Sequence, residues 1–126
     1  MRATCLEDLL VYQKAAAAAD AVSALLKRPA IIKDRRLREQ LGASSESVGS
    51  LISEGFAQST DRHFAEYLYR ARGSSKELRN QMRVARGRGH ITEEERATFA
   101  DRYVEIEKML TGLIRHLRTE DRQDRP

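Results

Sequence analysis

The chain contains few of the residues that interrupt helices or cross-link small domains. Its 126 residues include two prolines, one cysteine and no tryptophan. The single cysteine, Cys5, excludes an internal disulfide, and a domain of this size buries enough apolar surface to fold without a disulfide or a metal. We therefore predict one reduced, cytoplasmic domain.

Long apolar runs are absent as well. No segment approaches the roughly 20 apolar residues of a membrane-spanning helix, and the first residues lack the apolar region of a signal peptide. Charged residues make up 33% of the chain, which is typical of helices with solvated faces. The sequence therefore predicts no contact with a membrane.

No group of residues has the spacing of a catalytic or metal site. The three histidines, His63, His90 and His116, are far apart, and no Glu-x-x-His pair or phosphate-binding loop occurs. Spacing indicates no Ser-His-Asp set, although a triad formed only by the fold stays open. We predict a protein that is not an enzyme, with no catalytic residue, no metal and no cofactor.

Apolar residues recur every three or four positions in four segments, which predicts an all-α protein with four helices. The first two series are Leu6, Leu9, Leu10, Gln13, Ala17, Ala21, Val22, Leu25 and Leu26, and then Leu37, Leu41, Ser44 or Ser45, Val48, Leu51, Ile52 and Phe56. Pro29 is expected to stop the first helix, and Asp34 is a candidate N-cap of the second. Glycines and serines in the second helix are either packing points or signs of partial fraying.

The third and fourth helices follow strict heptads. Their series are Phe64, Leu68, Ala71, Ser75, Leu78, Met82 and Ala85, and then Phe99, Tyr103, Ile106, Leu110, Leu113 and Leu117. Residues 59–61 are candidate caps of the third helix, Gly87 and Gly89 are expected to end it, and Thr92 with Glu95 forms a capping box for the fourth. The residues expected in the core include Leu68, Leu78, Met82, Ile106, Leu110 and Leu113.

Short loops between these helices predict an antiparallel up-down-up-down four-helix bundle over residues 1–118. Residues 119–126 are charged and, apart from Pro126, contain no apolar residue, so we predict a disordered tail there. Apolar residues outside the four series are expected to be buried in part between the subunits of a homo-oligomer. These residues are Val11, Tyr12, Tyr69 and Ile114.

The third helix carries the clearest charge pattern. Five basic residues each follow a core position by one, and they therefore form a stripe beside the apolar seam. We predict these five as nucleic-acid-binding residues: Arg72, Lys76, Arg79, Arg83 and Arg86. Such a stripe suits a phosphate backbone, provided that its arginines have no acidic partners. The alternative is a solvated face paired with acids of the neighbouring helix or of a neighbouring subunit, and the fourth helix supplies Asp101, Glu105 and Glu107 as candidates.

Glu54 lies near the C-terminal end of the second helix, where the helix dipole disfavours an anion. We therefore expect an arginine or lysine within salt-bridge distance; an acid that faces a partner is the alternative. Gly55 is expected to adopt a left-handed conformation or to mark a bend.

Four segments resemble, in their order and spacing, the bacterial four-helix bundle proteins first described from intervening sequences of 23S ribosomal RNA genes. They are DLLVYQKA at 8–15, ISEGF at 52–56, ARGSSKEL at 71–78 with the Gly89-His90-Ile91 turn after it, and IEKMLTGLI at 106–114. The resemblance covers nearly all of residues 6–118. The second helix departs from it, because Gly42-Ala43 stands where the family usually has a basic pair. The third helix is therefore left as the main cationic surface.

The resemblance implies a ring-shaped homopentamer with no established enzymatic activity and with RNA or DNA as a suspected partner. The accessory proteins of diversity-generating retroelements are similar basic pentamers that associate with a reverse transcriptase and nucleic acid. Two hypotheses follow. The first is a homo-oligomeric module that binds nucleic acid or associates with a nucleoprotein, and the alternative is a purely protein-binding oligomeric scaffold.

Overall fold

The computed structural model describes the backbone of residues 5–123 and the side chains of residues 5–119. After a 3-10 turn at Leu6–Asp8, the helices are α1 (Leu10–Leu25), the short α2 (Pro29–Lys33), α3 (Arg35–Phe56), α4 (Asp61–Gly87) and α5 (Glu93–Gln123). No strand occurs within residues 5–123, and the predicted all-α class is confirmed. Both α1 and α4 pack against α3 and α5, so each long helix has two long neighbours.

Where consecutive long helices contact each other, the residue numbers rise along one helix as they fall along the other. Between α3 and α4, Ser47 Oγ lies 2.9 Å from Ser74 Oγ, and Ser44 Oγ lies 2.6 Å from Gln81 Oε1. Between α4 and α5, the pairs are Arg72 with Thr111, Arg79 with Glu107 and Arg86 with Glu93. Because each long helix has two neighbours, the groove between α1 and α3 and the groove between α4 and α5 lie on opposite sides of the protein.

Buried side chains of all four long helices meet in one core. Five of the predicted core residues are buried: Leu68, Leu78, Met82, Ile106 and Leu110. The sixth, Leu113, is only partly buried, and Ile114 is buried in its place. A straight helix drifts by about 20° per heptad against a strict seven-residue repeat, which moves the buried face of α5 from Leu113 to Ile114. Ile114 is therefore a core residue of the subunit and not one of the residues available for burial between subunits.

The buried face of α1 also differs from the prediction. Its buried residues are Val11, Ala15, Ala18, Val22 and Leu25, whereas Leu10 is 55% exposed. Residues 15–19 are all alanine, and a uniform stretch gives no contrast from which the phase of a helix can be read. Val11, one of the four residues of which some were expected between subunits, is therefore a core residue, while Tyr69 lies on the surface.

Most of the predicted helix ends after α3 are confirmed. Thr60 Oγ1 accepts a hydrogen bond from the His63 N–H at 3.2 Å. The capping box joins Thr92 and Glu95 in both directions, at 3.1 and 3.0 Å. Behind α4, Gly89 has φ 78°, the left-handed conformation expected of a residue that ends a helix.

The predicted tail differs from the structure up to Gln123, where α5 ends. Thr119 Oγ1 donates a hydrogen bond to Arg115 O at 2.9 Å within the helix. Glutamate, arginine and glutamine are good helix formers, so the last turns do not require an apolar face to stay helical. Residues 124–126 of the predicted tail lie outside the described residues.

The segment between α1 and α3 contains a helix that the sequence did not predict. Pro29 begins α2, because the fixed φ of proline suits the first position of a helix. Asp34 occupies the N-cap position of α3 but makes no side-chain capping bond. Its carboxylate accepts a hydrogen bond from Arg88 at 2.8 Å and lies 2.9 Å from His90 Nε2. These contacts, Arg88 first, lower the pKa of Asp34 and fasten the loop after α4 to the start of α3.

Gly55 lies inside α3, buried and without a positive φ, so the expected left-handed residue or bend is not found there. A Cβ atom at this position would lie 2.7 Å from Tyr67 Cβ and 3.0 Å from Phe64 Cδ1. The helices α3 and α4 therefore approach so closely at this point that only glycine fits.

We predict that Gly55→Ala lowers the free energy of unfolding by about 1–3 kcal/mol, because the added methyl group overpacks the contact between α3 and α4. Gly112→Ala is the matched control, since its Cβ would meet nothing within 4 Å. The control should raise the free energy of unfolding by about 0.5–1 kcal/mol through better helix propensity. Urea unfolding followed by circular dichroism measures both, and equal effects would contradict the close approach.

Candidate nucleic-acid interface

A basic groove extends between α4 and α5. It consists of two adjoining depressions of about 590 and 500 Å³ that share Lys76 and Arg79. The first is lined by Lys76, Arg79, Asn80, Arg83, Arg86, Glu93, Arg96 and Ala100, and the second by Arg72, Lys76, Arg79, Val104, Glu107, Lys108, Thr111, Gly112 and Arg115. This surface, the α4–α5 groove, contains all five basic residues that the sequence singled out.

The positive charge of the protein is concentrated in the α4–α5 groove. Eight basic and two acidic side chains line it, which is an excess of six positive charges. The whole chain has 23 basic and 19 acidic residues, an excess of four. The remaining 15 basic and 17 acidic residues therefore carry an excess of two negative charges.

Arg79 lies on the floor of the groove and is paired with an acid, contrary to the prediction. Its Nε and Nη2 atoms each donate to a carboxylate oxygen of Glu107 at 2.7 Å. Ser75 Oγ donates to the same carboxylate at 2.7 Å, and Glu107 is only 8% exposed. The pair raises the pKa of Arg79, mainly through the hydrogen bonds to Glu107. Of the three acids named in the alternative, Glu107 therefore forms an ion pair with Arg79, one of the five predicted basic residues.

Arg86 is also paired with an acid, at the end of the groove nearest the loop between α4 and α5. Its Nε lies 3.0 Å from Glu93 Oε2. Arg96 reaches the same carboxylate from α5, with Nε and Nη2 at 2.8 and 2.5 Å from Oε1. These contacts, those of Arg96 first, lower the pKa of Glu93.

The other three predicted residues have no acidic partner among the described residues. Lys76 is exposed, and Arg83 donates only to Asn80 Oδ1, at 3.2 Å through Nη2. Arg72 donates to Thr111 Oγ1 at 2.9 Å, and its guanidinium lies 4.7 Å from the centre of the Tyr69 ring. Two of the five basic residues are therefore in ion pairs, and the other three have no ion-pair partner among the described residues.

The sequence did not identify the basic residues that α5 adds to the groove, Arg96, Lys108 and Arg115. The sequence of α5 nevertheless contains a pattern that could have identified them. On α5, as on α4, the residues directly after buried or partly buried core positions line the groove, namely Ala100, Val104, Glu107 and Thr111. The three basic residues lie four positions from members of this row, and so on the same face of the helix.

The opposite groove, between α1 and α3, is acidic. It has a volume of about 570 Å³ and is lined mostly by small residues, with Asp20, Glu46 and Glu54 as its charged residues. Glu54 is exposed, and no cation among the described residues lies within salt-bridge distance. The expected ion pair of Glu54 is therefore not found. The five basic residues of the predicted stripe on α4 face α5, on the opposite side of the bundle from Glu54.

Within residues 5–123, no helix combines the length and the apolar composition needed to cross a membrane. Over the same residues, no three His, Cys, Asp or Glu side chains are grouped as a metal site requires.

The fold and the groove define an all-α bundle with one basic side, and comparisons with known proteins agree with the all-α fold. The family model of the 23S rRNA-intervening sequence protein matches residues 7–112, and the chain belongs to that family. The structure is similar to that of a protein of unknown function from the S23 ribosomal protein family of Bacteroides thetaiotaomicron, with 21% sequence identity and a TM-score of 0.75. The similarity covers 82% of this chain and 97% of the other. No curated protein sequence matches the chain.

We predict that Glu107→Gln lowers the free energy of unfolding by about 2–3 kcal/mol, because it leaves Arg79 without its counter-charge and weakens the bond to Ser75. Glu105→Gln is the matched control. Glu105 lies on the same helix in an exposed pair with Lys14 at 3.4 Å, and its loss should cost about 0–1 kcal/mol. Urea denaturation distinguishes the two, and a loss at Glu107 no larger than at Glu105 would refute the structural role of this pair.

Proposed function

We propose that this chain is a non-enzymatic, homo-oligomeric four-helix bundle that binds RNA or DNA through the α4–α5 groove, alone or within a nucleoprotein. The observation that supports this most is the excess of six positive charges in the groove of a chain whose total excess is four. When such a surface neutralises phosphates, it releases counterions, and this release is the source of salt-dependent affinity.

The chemistry of the groove favours binding that does not depend on sequence. Its lining residues include no aromatic side chain, so bases find no surface on which to stack. Arg72 and Arg86 are 14 residues apart on one helix, which at 1.5 Å per residue gives a basic stripe about 21 Å long. A stripe of this kind contacts phosphates along a backbone, and phosphate contacts position a protein without specifying the sequence.

The basic residues of the groove have different roles in this proposal. Lys76, Arg83 and Lys108 make no ion pair with described residues and bind phosphates directly. Arg79 is held by Glu107 and contributes positive potential from the floor without leaving it.

We also propose that the bundle is antiparallel and that it assembles with copies of itself, as a pentamer by resemblance to its family. The reversed order of contacts between consecutive helices supports the first statement. Three exposed large apolar residues support the second, since such residues are commonly buried between subunits. They are Leu10, Ile32 and Tyr69, each at least half exposed.

A purely protein-binding scaffold is the second candidate, and the acidic α1–α3 groove favours it. Asp20, Glu46 and Glu54 lie on the side opposite the α4–α5 groove, so the two grooves of neighbouring copies are complementary in charge. A head-to-tail contact of this kind closes into a ring when the rotation between copies allows it. In such a ring the basic groove is covered by protein.

Nucleic-acid binding can be tested with a triple variant in which glutamine replaces Lys76, Arg83 and Lys108. None of the three is ion-paired with a residue of the described part of the chain, so the fold should be kept. Affinity for a mixed-sequence duplex should fall, and the slope of log affinity against log salt should flatten by about 0.9 per lost phosphate contact. Fluorescence anisotropy over a range of salt concentrations measures both.

The matched control for this test replaces Lys33, Arg35 and Arg36, three exposed basic residues at the junction of α2 and α3, with glutamine. It removes the same charge outside the groove and should leave the salt slope close to that of the parent. If the parent does not bind at low salt, or if both triple variants lose affinity equally, the groove is not a nucleic-acid site.

The assembly proposal predicts, by light scattering, a mass of about five times the 14.3 kDa of one chain. Replacing Asp20 with Asn and both Glu46 and Glu54 with Gln separates the two candidates. If the charged grooves join subunits, this variant should dissociate; if the α4–α5 groove is free for nucleic acid, its mass should equal that of the parent. A parent of monomer mass at micromolar concentration would contradict both forms of the proposal.

A further inference from the structure

The carboxylate of Glu93 lies between two arginines from different helices. Arg86 of α4 approaches Oε2 at 3.0 Å, and Arg96 of α5 donates to both oxygens, at 2.5 and 2.8 Å to Oε1 and at 3.0 Å to Oε2. We propose that Arg86 and Arg96 form a phosphodiester-binding subsite of the α4–α5 groove, and that Glu93 fills this subsite in the absence of ligand. The inference rests on the proposed nucleic-acid binding.

The side chains of the subsite are of a kind that binds phosphate as well as carboxylate. The planar guanidinium of arginine presents paired donors that fit two oxygens of either anion. Arg86 and Arg96 converge from the two walls of the groove on one point, where Glu93 now places its two oxygens. Glu93 is the one acid among the residues that line this half of the groove, so it stands where an anion is bound.

The contact is exposed enough to be exchanged. The side chains of Arg86, Arg96 and Glu93 are 54%, 31% and 56% exposed, and ion pairs at such exposure contribute little to stability. A polymer of phosphates that also touches Arg83 and Lys76 has further contacts that the single carboxylate lacks. Glu93 therefore acts as an intramolecular competitor that lowers the affinity of the groove.

The neighbouring acids show that this contact is not a general property of the first turn of α5. Glu93, Glu94 and Glu95 all lie in that turn, where the positive end of the helix dipole favours an anion. Glu95 is bound by Arg28, which with the capping bond to Thr92 lowers the pKa of Glu95 to about 2. Glu94 is exposed and contacts no arginine among the described residues. Of the three, Glu93 alone enters the groove.

The test compares Glu93→Gln with Glu94→Gln in the full chain. Both variants remove one negative charge from the same helical turn, so their effects on net charge and on the helix dipole are matched. The probe is a mixed-sequence DNA duplex, followed by fluorescence anisotropy at several salt concentrations. Glu93→Gln should tighten binding about threefold to tenfold and steepen the salt slope by about 0.9 to 1.8, as expected for one or two added phosphate contacts. Glu94→Gln should change affinity less than about twofold.

A second variant tests the role of Arg96 directly. Adding Arg96→Gln to Glu93→Gln should cancel most of the gain, because the freed donor is removed, and thermal melts confirm that each variant is folded. If the parent binds the duplex but Glu93→Gln and Glu94→Gln behave alike, the subsite is refuted while the groove remains a nucleic-acid site. If neither the parent nor any variant binds, the proposed function fails and the subsite fails with it.

Discussion

The buried seam of α4 determines where the charges of the groove can lie. Its core positions are fully buried because α4 packs against both α3 and α5. They are Ala71, Ser75, Leu78, Met82 and Ala85. The residue after each of them lies about 100° further round the helix, on the edge that faces α5. A basic residue two positions earlier would be turned away from α5. Arg70, two positions before Arg72, is the example: its guanidinium lies 5.3 Å from the centre of the Tyr67 ring.

Burial separates the arginines of this edge into two groups with different consequences. Glu107 is buried, and a buried carboxylate without a counter-charge is costly, so Arg79 is bound to the structure and part of its charge is cancelled. Glu93 is exposed, and its pairs with Arg86 and Arg96 are weak enough to exchange for another anion. The two carboxylates therefore differ in role: Glu107 on the floor joins α4 to α5, and Glu93 at the rim fills the proposed phosphate subsite.

Periodicity predicted the fold where polar and apolar residues contrast, as in α4, and it was wrong where contrast is missing, as in the alanines of residues 15–19. The five groove residues on α4 followed from their register beside the core. The acidic partners of these residues could not be predicted from the sequence, because the acid that reaches each basic residue depends on how far α5 is shifted along α4. That shift brings Glu107 to Arg79, while Glu105 turns to Lys14 on α1. Glu54 lacks its expected cation for a different reason: it faces the α1–α3 groove, and the sequence alone did not indicate that the bases of α4 lie on the opposite side of the bundle.

The opposed charges of the two grooves limit how an oligomer can bind nucleic acid. A phosphate backbone is attracted by the α4–α5 groove and repelled by Asp20, Glu46 and Glu54, so the protein is oriented before contact. Subunits joined groove to groove would lose this orientation and cover the site. A nucleic-acid-binding oligomer must therefore use other surfaces. Tyr69 is half exposed beside Arg72 and lines neither groove, so it belongs to such a surface. If the oligomer leaves the grooves of adjacent copies open on one side, a single strand engages several copies, and this linkage alone raises its affinity.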